Sequence, residues 1–275
     1  MNARRALVLV LVVGAATVLW AASRYTREVN ARLAEAPPAT GDKMTLRFFR
    51  NPATVAGFTA RDLDGREVSS TAYRGKVVLV NFWATWCGPC RAEIPDLVAL
   101  QEKYRDRLQI IGVSEDEGPA EAVRRFADDR KVNYPIVMTT PELRKLFPGV
   151  NALPTSFILD RESRLVQKHV GMLTASLTEQ ETRALAGLPV NVSIEEVDQA
   201  QGLKLDNGAQ ATNIPGVDLA KLEPAKRIEA LQKLNAQPCT CGCDLTVARC
   251  RVDDPTCGVS LPLARQIVQH VVDQR

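Results

Sequence analysis

The chain has 275 residues, 45% of them apolar and 24% charged, and 35 basic against 32 acidic side chains leave a net charge of +3. An apolar share of that size excludes a disordered or collagen-like chain. A charge so small and balanced, with aromatics at only 5%, gives no footing for nucleic-acid binding. The two histidines, His169 and His270, leave little for a histidine-rich metal site or a Ser-His-Asp triad. Seven cysteines fall into an early pair, Cys87 and Cys90, and a late group, Cys239, Cys241, Cys243, Cys250 and Cys257.

Met1 to Arg5 carries two arginines and no acid, and Ala6 to Ala22 follows without a charge. A basic flank before a long apolar run reads as a signal anchor or a signal peptide. The run is short for a bilayer span and long for a cleaved segment; the anchor is the preferred reading. The basic flank stays inside, so the rest of the chain is expected to face the periplasm or cell exterior, where disulfides persist. Residues 24–51, polar and charged with Pro37-Pro38, read as a tether.

From residue 52 the pattern becomes that of an α/β domain. Ala56–Arg61 and Glu67–Ser69 flank Asp64-Gly65, a hairpin signal. Lys76–Trp83 predicts a buried central strand, and apolar spacing near 3.6 predicts a helix over Pro89–Arg107. A strand over Leu108–Val113, a helix over Pro119–Arg130, a strand over Tyr134–Met138 and a helical turn over Pro141–Leu146 follow. Strands over Thr155–Asp160 and Leu165–Val170 and a helix over Ser176–Ala186 complete the domain. The alternation argues for a parallel or mixed sheet covered on both faces. Residues 189–218, rich in Gln, Asn, Asp and Gly, read as a linker. Residues 219–275 read as a cysteine-rich helical module, with helices over Leu219–Leu234 and Leu261–Val272.

Cys87-Gly88-Pro89-Cys90 sits where the central strand ends and a helix begins. Thiolate is the attacking species, and unpaired N–H groups at a helix mouth favour it on the first cysteine. Cys87 is therefore expected to attack a substrate disulfide and Cys90 to resolve the mixed disulfide. A zinc site would need two further ligands, and within this domain only His169 is a histidine, with no second C-x-x-C. Pro154, just before a strand, is expected to be cis and to press on the cysteine pair; the bland alternative is a trans proline opening an edge strand. Glu93, one helical turn after Cys90, is either a proton acceptor for the pair or a solvated first-turn acid, and spacing alone does not choose. Trp83 and Trp86 are expected to pack the site.

The run from Asn81 to Pro95 (NFWATWCGPCRAEIP) resembles the active-site signature of thioredoxin-fold proteins, nearest the membrane-anchored TlpA/ResA/DsbE group. The resemblance covers about 52–188 and implies a thioredoxin-like fold, a mixed central sheet flanked by helices. It implies a thiol–disulfide oxidoreductase, in this group usually a reductant of apocytochrome c or of copper-delivery proteins in oxidase assembly. The implied partners are a disulfide-bearing protein substrate and a membrane thiol-electron donor; no cofactor is called for. The group's functional glutamate falls on Glu93, which favours the proton-acceptor role. Cytosolic thioredoxins have a buried Asp six residues before the first cysteine, where this chain has Asn81. Peroxiredoxins share the outer fold, but their peroxidatic cysteine is not part of a C-x-x-C pair.

The resembled group usually ends where this chain continues into Cys239-Thr240-Cys241-Gly242-Cys243, Cys250 and Cys257. Three readings stand. Two disulfides staple a module too small for its own core, leaving one odd thiol. An all-sulfur site holds copper or zinc. Or the tail exchanges electrons with Cys87. The staple is the expectation, with bridges from the 239–243 cluster to Cys250 and Cys257. The alternative for the whole chain is a metal-handling assembly protein, its tail binding metal that the thioredoxin-like domain keeps reduced.

Overall fold

The structure, a computed structural model, describes residues 43–198 and 208–274. The expected anchor lies outside these residues, as do most of the tether and 199–207 of the linker. Among the described residues no helix is long and apolar enough to cross a membrane. The chain from Thr45 onward forms one compact unit, which carries the elements below.

In chain order they are β1 (Thr45–Phe49), β2 (Ala53–Thr54), β3 (Thr59–Arg61), β4 (Glu67–Ser69), β5 (Val77–Trp83), α1 (Gly88–Lys103), β6 (Leu108–Ser114), α2 (Ala120–Asp129), β7 (Ile136–Met138) and α3 (Pro141–Leu146). There follow β8 (Ala152–Leu153), β9 (Thr155–Leu159), β10 (Arg164–Val170), α4 (Ala175–Leu185), β11 (Ser193–Val197), β12 (Gln210–Ala211), α5 (Pro224–Ala236), α6 (Val247–Asp253) and α7 (Ser260–Asp273). The main sheet runs β2-β10-β9-β5-β6-β7. β5 is parallel to β6 and antiparallel to β9. All seven residues of β5 are buried, as a near-continuous apolar run, broken only by Asn81, in a strand covered on both faces requires. Helix α1 returns the chain from β5 to β6, the crossover that a parallel pair needs.

The core is aromatic where β5, β9 and α3 meet. Phe147, with no solvent exposure, lies 5.9, 5.8 and 5.2 Å from the rings of Phe58, Phe82 and Phe157. A second apolar cluster, around Leu234, Val247, Ala264 and Val271, holds α5, α6 and α7 together. Ala152 belongs to it, and half-buried Trp86 packs against both clusters.

The tether and linker readings need correction. β1 and β11 pair in parallel, Thr45↔Ser193 through Phe49↔Val197. Charged residues inside both strands hid the pattern: Leu46 is buried while Arg47 reaches across to Glu195 at 3.3 Å. β12 also falls in the supposed linker and pairs with β8. The first tail helix opens at Pro224, not at 219, because proline suits the first helical turn. α6, which carries Cys250, was not foreseen at all.

Phe147→Ala removes a ring that touches three others. It is expected to cost about 3–5 kcal/mol, seen as a lower urea midpoint at unchanged slope. A loss under about 1 kcal/mol would mean that the aromatic junction is not a stability centre.

Candidate active site

Cys87 is the N-cap of α1, and its Sγ accepts from the Cys90 N–H at 3.3 Å. The two cysteines are joined in a disulfide. The preceding loop is held by one carboxylate: Asp116 accepts from the Thr85 N–H at 2.9 Å, the Thr85 hydroxyl at 2.5 Å and the Ser114 hydroxyl at 2.8 Å. The parallel register Trp83↔Ser114 places Asp116 beside Thr85. Sequence reasoning missed Asp116; an acid two residues beyond a strand end, next to a Thr beyond the neighbouring strand, was the only signal.

The Leu153–Pro154 bond is cis, as expected. Thr155 pairs with Phe82, so Pro154 stands next in register to Trp83, at the end of β5 from which the disulfide loop departs. Trp83 is buried, and its Nε1 finds no hydrogen-bond partner among the described residues.

Glu93 is 1% exposed, which removes the reading as a solvated first-turn acid. Its Oε1 accepts from Asn81 Nδ2 at 2.8 Å and its Oε2 from the Leu173 N–H at 2.9 Å. Asn81 Nδ2 also donates to Ser156 Oγ at 2.9 Å. Burial outweighs these donors and pushes the Glu93 carboxyl up to about 7. A group with that pKa takes and gives a proton near neutrality. The pairing of Asn81 with Glu93 was also missed, although a lone amide in an otherwise apolar strand marked the position.

Neither Cys87 nor Cys90 has solvent exposure. The cover comes from the C-terminal part of the chain. Gln210 and Ala211 pair antiparallel with Leu153 and Ala152, immediately before Pro154. A β-carbon built on Gly88 would stand 3.8 Å from Gln210 Nε2, and one on Gly208 would stand 3.8 Å from the Pro89 β-carbon. Asn235 of α5 clamps this strand, its Oδ1 accepting from the Ala211 N–H and its Nδ2 donating to the Ala211 carbonyl, both at 2.8 Å. The Gln210 Oε1 is buried without a partner among the described residues, a penalty that works against the closed arrangement. Trp86 and Leu153 also line a cleft of about 440 Å³ whose other wall includes Thr212, Ile214 and Leu231.

The five tail cysteines are free thiols, so the two expected disulfides are not formed. The Sγ atoms of Cys239, Cys241, Cys250 and Cys257 all lie within 4.8 Å of one another. They converge on a common point where a pairwise staple was expected. Cys243 stands outside this group, exposed and 2.9 Å from Cys241.

The AhpC/TSA family matches residues 53–168, short of the C-terminal cysteines. The thioredoxin-like protein YneN of Bacillus subtilis (strain 168) is 37% identical over 125 residues, 45% of this chain and 73% of its own length. Thiol-disulfide oxidoreductase ResA of Geobacillus thermodenitrificans (strain NG80-2) is 34% identical over 143 residues, 50% of this chain and 82% of its own. Among solved structures, a thioredoxin-family thiol:disulfide interchange protein from Chlorobium tepidum TLS is 31% identical. It aligns over 50% of this chain and 98% of its own, with a TM-score of 0.48.

Two outcomes follow from this geometry. Glu93 ionises near 4.5 in the unfolded chain and near 7 in the folded one. Between those values the folded state keeps a proton that the unfolded state has lost, so stability falls as pH rises, by about 3 kcal/mol. In Glu93→Gln this decline is absent, and urea unfolding below pH 4.5 and above pH 7 shows the variant gaining on the parent. Parallel curves would mean that Glu93 ionises normally. Asn235→Ala unties β12 and is expected to speed reduction of the Cys87–Cys90 disulfide by dithiothreitol about 5- to 30-fold, the effect of 1–2 kcal/mol on an opening step. An unchanged rate would show that the disulfide is reached without lifting the strand.

Proposed function

Because the chain belongs to the ResA/DsbE-like group of the thioredoxin superfamily and is a thiol–disulfide oxidoreductase, we propose that it reduces protein disulfides outside the cytoplasm through Cys87 and Cys90. The observation that carries this reading is Cys87 as the N-cap of α1, bonded to Cys90 one turn on. The helix dipole favours a Cys87 thiolate once the pair is reduced.

The reaction then runs in two exchanges. Cys87 thiolate attacks one sulfur of the substrate disulfide, a mixed disulfide forms, and the other substrate sulfur leaves as a thiolate that takes a proton from solvent. Cys90 loses its proton, for which Glu93 is the buried acceptor, and attacks Cys87 Sγ. The mixed disulfide breaks, the second substrate thiol departs, and the chain is left oxidised by two electrons. A membrane thiol-electron donor restores the dithiol. Pro154 closes the site beside the pair and helps to position the substrate backbone.

The apolar run Ala6–Ala22 behind a basic flank supports an anchored protein whose domains face the periplasm or cell exterior. The substrate class favoured is a protein cysteine pair that must be kept reduced to receive haem or copper, as in cytochrome c maturation or oxidase copper-site assembly. The burial of both cysteines supports an enzyme whose substrate displaces β12, since an incoming strand would use the same edge of β8. One observation favours a second, compatible reading of the C-terminal part: four of its sulfurs converge as metal ligands do.

Cys90→Ser is expected to accumulate a covalent complex with its substrate through Cys87, released by dithiothreitol and identified by mass spectrometry of the cell envelope fraction. Cys87→Ser captures nothing. Capture by Cys87→Ser at the level of Cys90→Ser would reverse the two roles.

A further inference from the structure

We propose that Cys239, Cys241, Cys250 and Cys257 form a tetrahedral four-thiolate site for a zinc-class divalent cation, with Cys243 left outside it. The proposal is independent of the oxidoreductase reading. It stands on the placement of the four sulfurs and on the charge of their surroundings.

The ligands come from three pieces of backbone that the fold brings to one place. Residues 238–246 double back on themselves: Pro238 and Thr246 form an isolated antiparallel bridge. The Cys239 N–H donates to the Leu245 carbonyl at 2.8 Å, and the Val247 N–H to the Gln237 carbonyl at 2.9 Å. Gly242 makes the return possible with φ +85 and open space at its β-carbon. This knuckle carries Cys239 and Cys241. Cys250 lies on α6, whose Thr246 N-cap ends the knuckle. Cys257 lies in the turn from α6 to α7.

The distances suit one cation. Zinc–sulfur bonds of about 2.3 Å put the corners of a tetrahedron about 3.8 Å apart. Cys241 Sγ is 3.3 Å from Cys239 Sγ and 3.8 Å from Cys250 Sγ, and every pair of the four lies within 4.8 Å. The ligand group contains no imidazole or carboxylate, and an all-thiolate set selects soft or borderline cations such as zinc over magnesium or calcium. Cys239 and Cys250 are buried while Cys241 is exposed, which leaves the cation a way in.

A second observation is Arg251. Its side chain is in the residue class least often buried, yet it is 3% exposed. Its guanidinium donates to neutral oxygens, the Pro215 carbonyl at 3.0 Å and Ser260 Oγ at 3.3 Å. Of the carboxylates, the exposed Asp254 feels its charge, behind that acid's own hydrogen bonds to Thr256. A buried cation with neutral partners is costly. Four thiolates around a divalent cation carry a net charge of −2, and Arg251 follows Cys250 in sequence and shares Ser260 with the turn that carries Cys257. A positive charge buried one residue from a ligand is of the sign that such an anionic site favours.

Loading exchanges four S–H bonds for four metal–sulfur bonds. Four protons leave to solvent and no electrons move.

The test uses the full chain, reduced without oxygen and titrated with Co²⁺, whose tetrahedral tetrathiolate complex has an intense visible spectrum. One Co²⁺ per chain with that spectrum, displaced by Zn²⁺, is the expected result. Cys250→Ser and Cys257→Ser each lose about 100-fold or more in affinity, since even outer-shell changes cost 10- to 100-fold. Cys243→Ser and the double variant Cys87→Ser/Cys90→Ser keep the spectrum. Should the ligand variants not fold, alkylation of the parent decides: with Zn²⁺ bound, Cys243 reacts with iodoacetamide while the other four are protected until a chelator is added. Absence of the cobalt spectrum, its survival in Cys257→Ser, its loss in the Cys87/Cys90 double variant, or two tail disulfides in protein folded with Zn²⁺ present would each overturn the site. A failed trapping experiment with Cys90→Ser leaves all of these readouts unaffected, so the two proposals fail separately.

Discussion

A carboxyl group with 1% exposure must be neutral or firmly hydrogen-bonded, and the placing of Glu93 orders much of what surrounds the disulfide. Its two oxygens are met by donors from opposite sides, Asn81 in the middle of β5 and the Leu173 N–H ahead of α4. Asn81 in turn needs an acceptor for its second proton and finds Ser156, its antiparallel partner on β9. One buried acid thus ties together the strand that leads to Cys87, the strand that follows Pro154 and the approach to the last helix of the domain. Replacing any of these polar groups by an apolar one would strand another, which is why they form a set. The donors do not suffice to ionise Glu93 below neutrality, because burial is the larger effect.

The C-terminal part of the chain meets this site at an edge. β8 is only two residues long, and its outer edge offers the backbone groups that an added strand seeks. β12 takes them. An intramolecular strand is always present at high effective concentration, so the disulfide stays covered until a competing segment or an opening step removes it. The cover is light: a two-residue ladder, the Asn235 clamp, and an unpaired oxygen on Gln210 that opposes closure.

Much of the domain was legible because its signals were local. The run Val77–Trp83 is apolar but for Asn81, α1 begins where Cys87 and Pro89 say it should, and the cis proline came from its place before a strand. What escaped had its cause elsewhere in the chain. β1 and β11 are each short, interrupted by charged residues, and pair only across about 150 residues of sequence, Thr45 with Ser193. Asp116 is an ordinary loop acid until the β5–β6 register sets it beside Thr85. Glu93 was ambiguous because helical spacing gives its distance from Cys90 but not its depth. The tail was misjudged for a chemical reason. Cysteines counted in pairs suggested disulfides, whereas the fold of the knuckle against α6 brings four sulfurs to one point and leaves the fifth aside.

Seven cysteines in one chain pose a problem of segregation. A thiol–disulfide oxidoreductase whose C-x-x-C pair is Cys87 and Cys90 also carries five other thiols, and thiol–disulfide exchange among them within one molecule would outrun exchange with a substrate. Exchange requires a free thiolate with access to a sulfur. The strand over Cys87 and Cys90 withdraws access at one end. At the other, a cation that holds four thiolates withdraws the nucleophiles themselves, since their lone pairs are committed to metal. The same ligation fixes the knuckle to α6 and α7, which pack on α5, and α5 supplies Asn235 to the covering strand. A soft-metal site in the tail and a closed disulfide in the domain are then two parts of one solution to keeping the thiols of this chain apart.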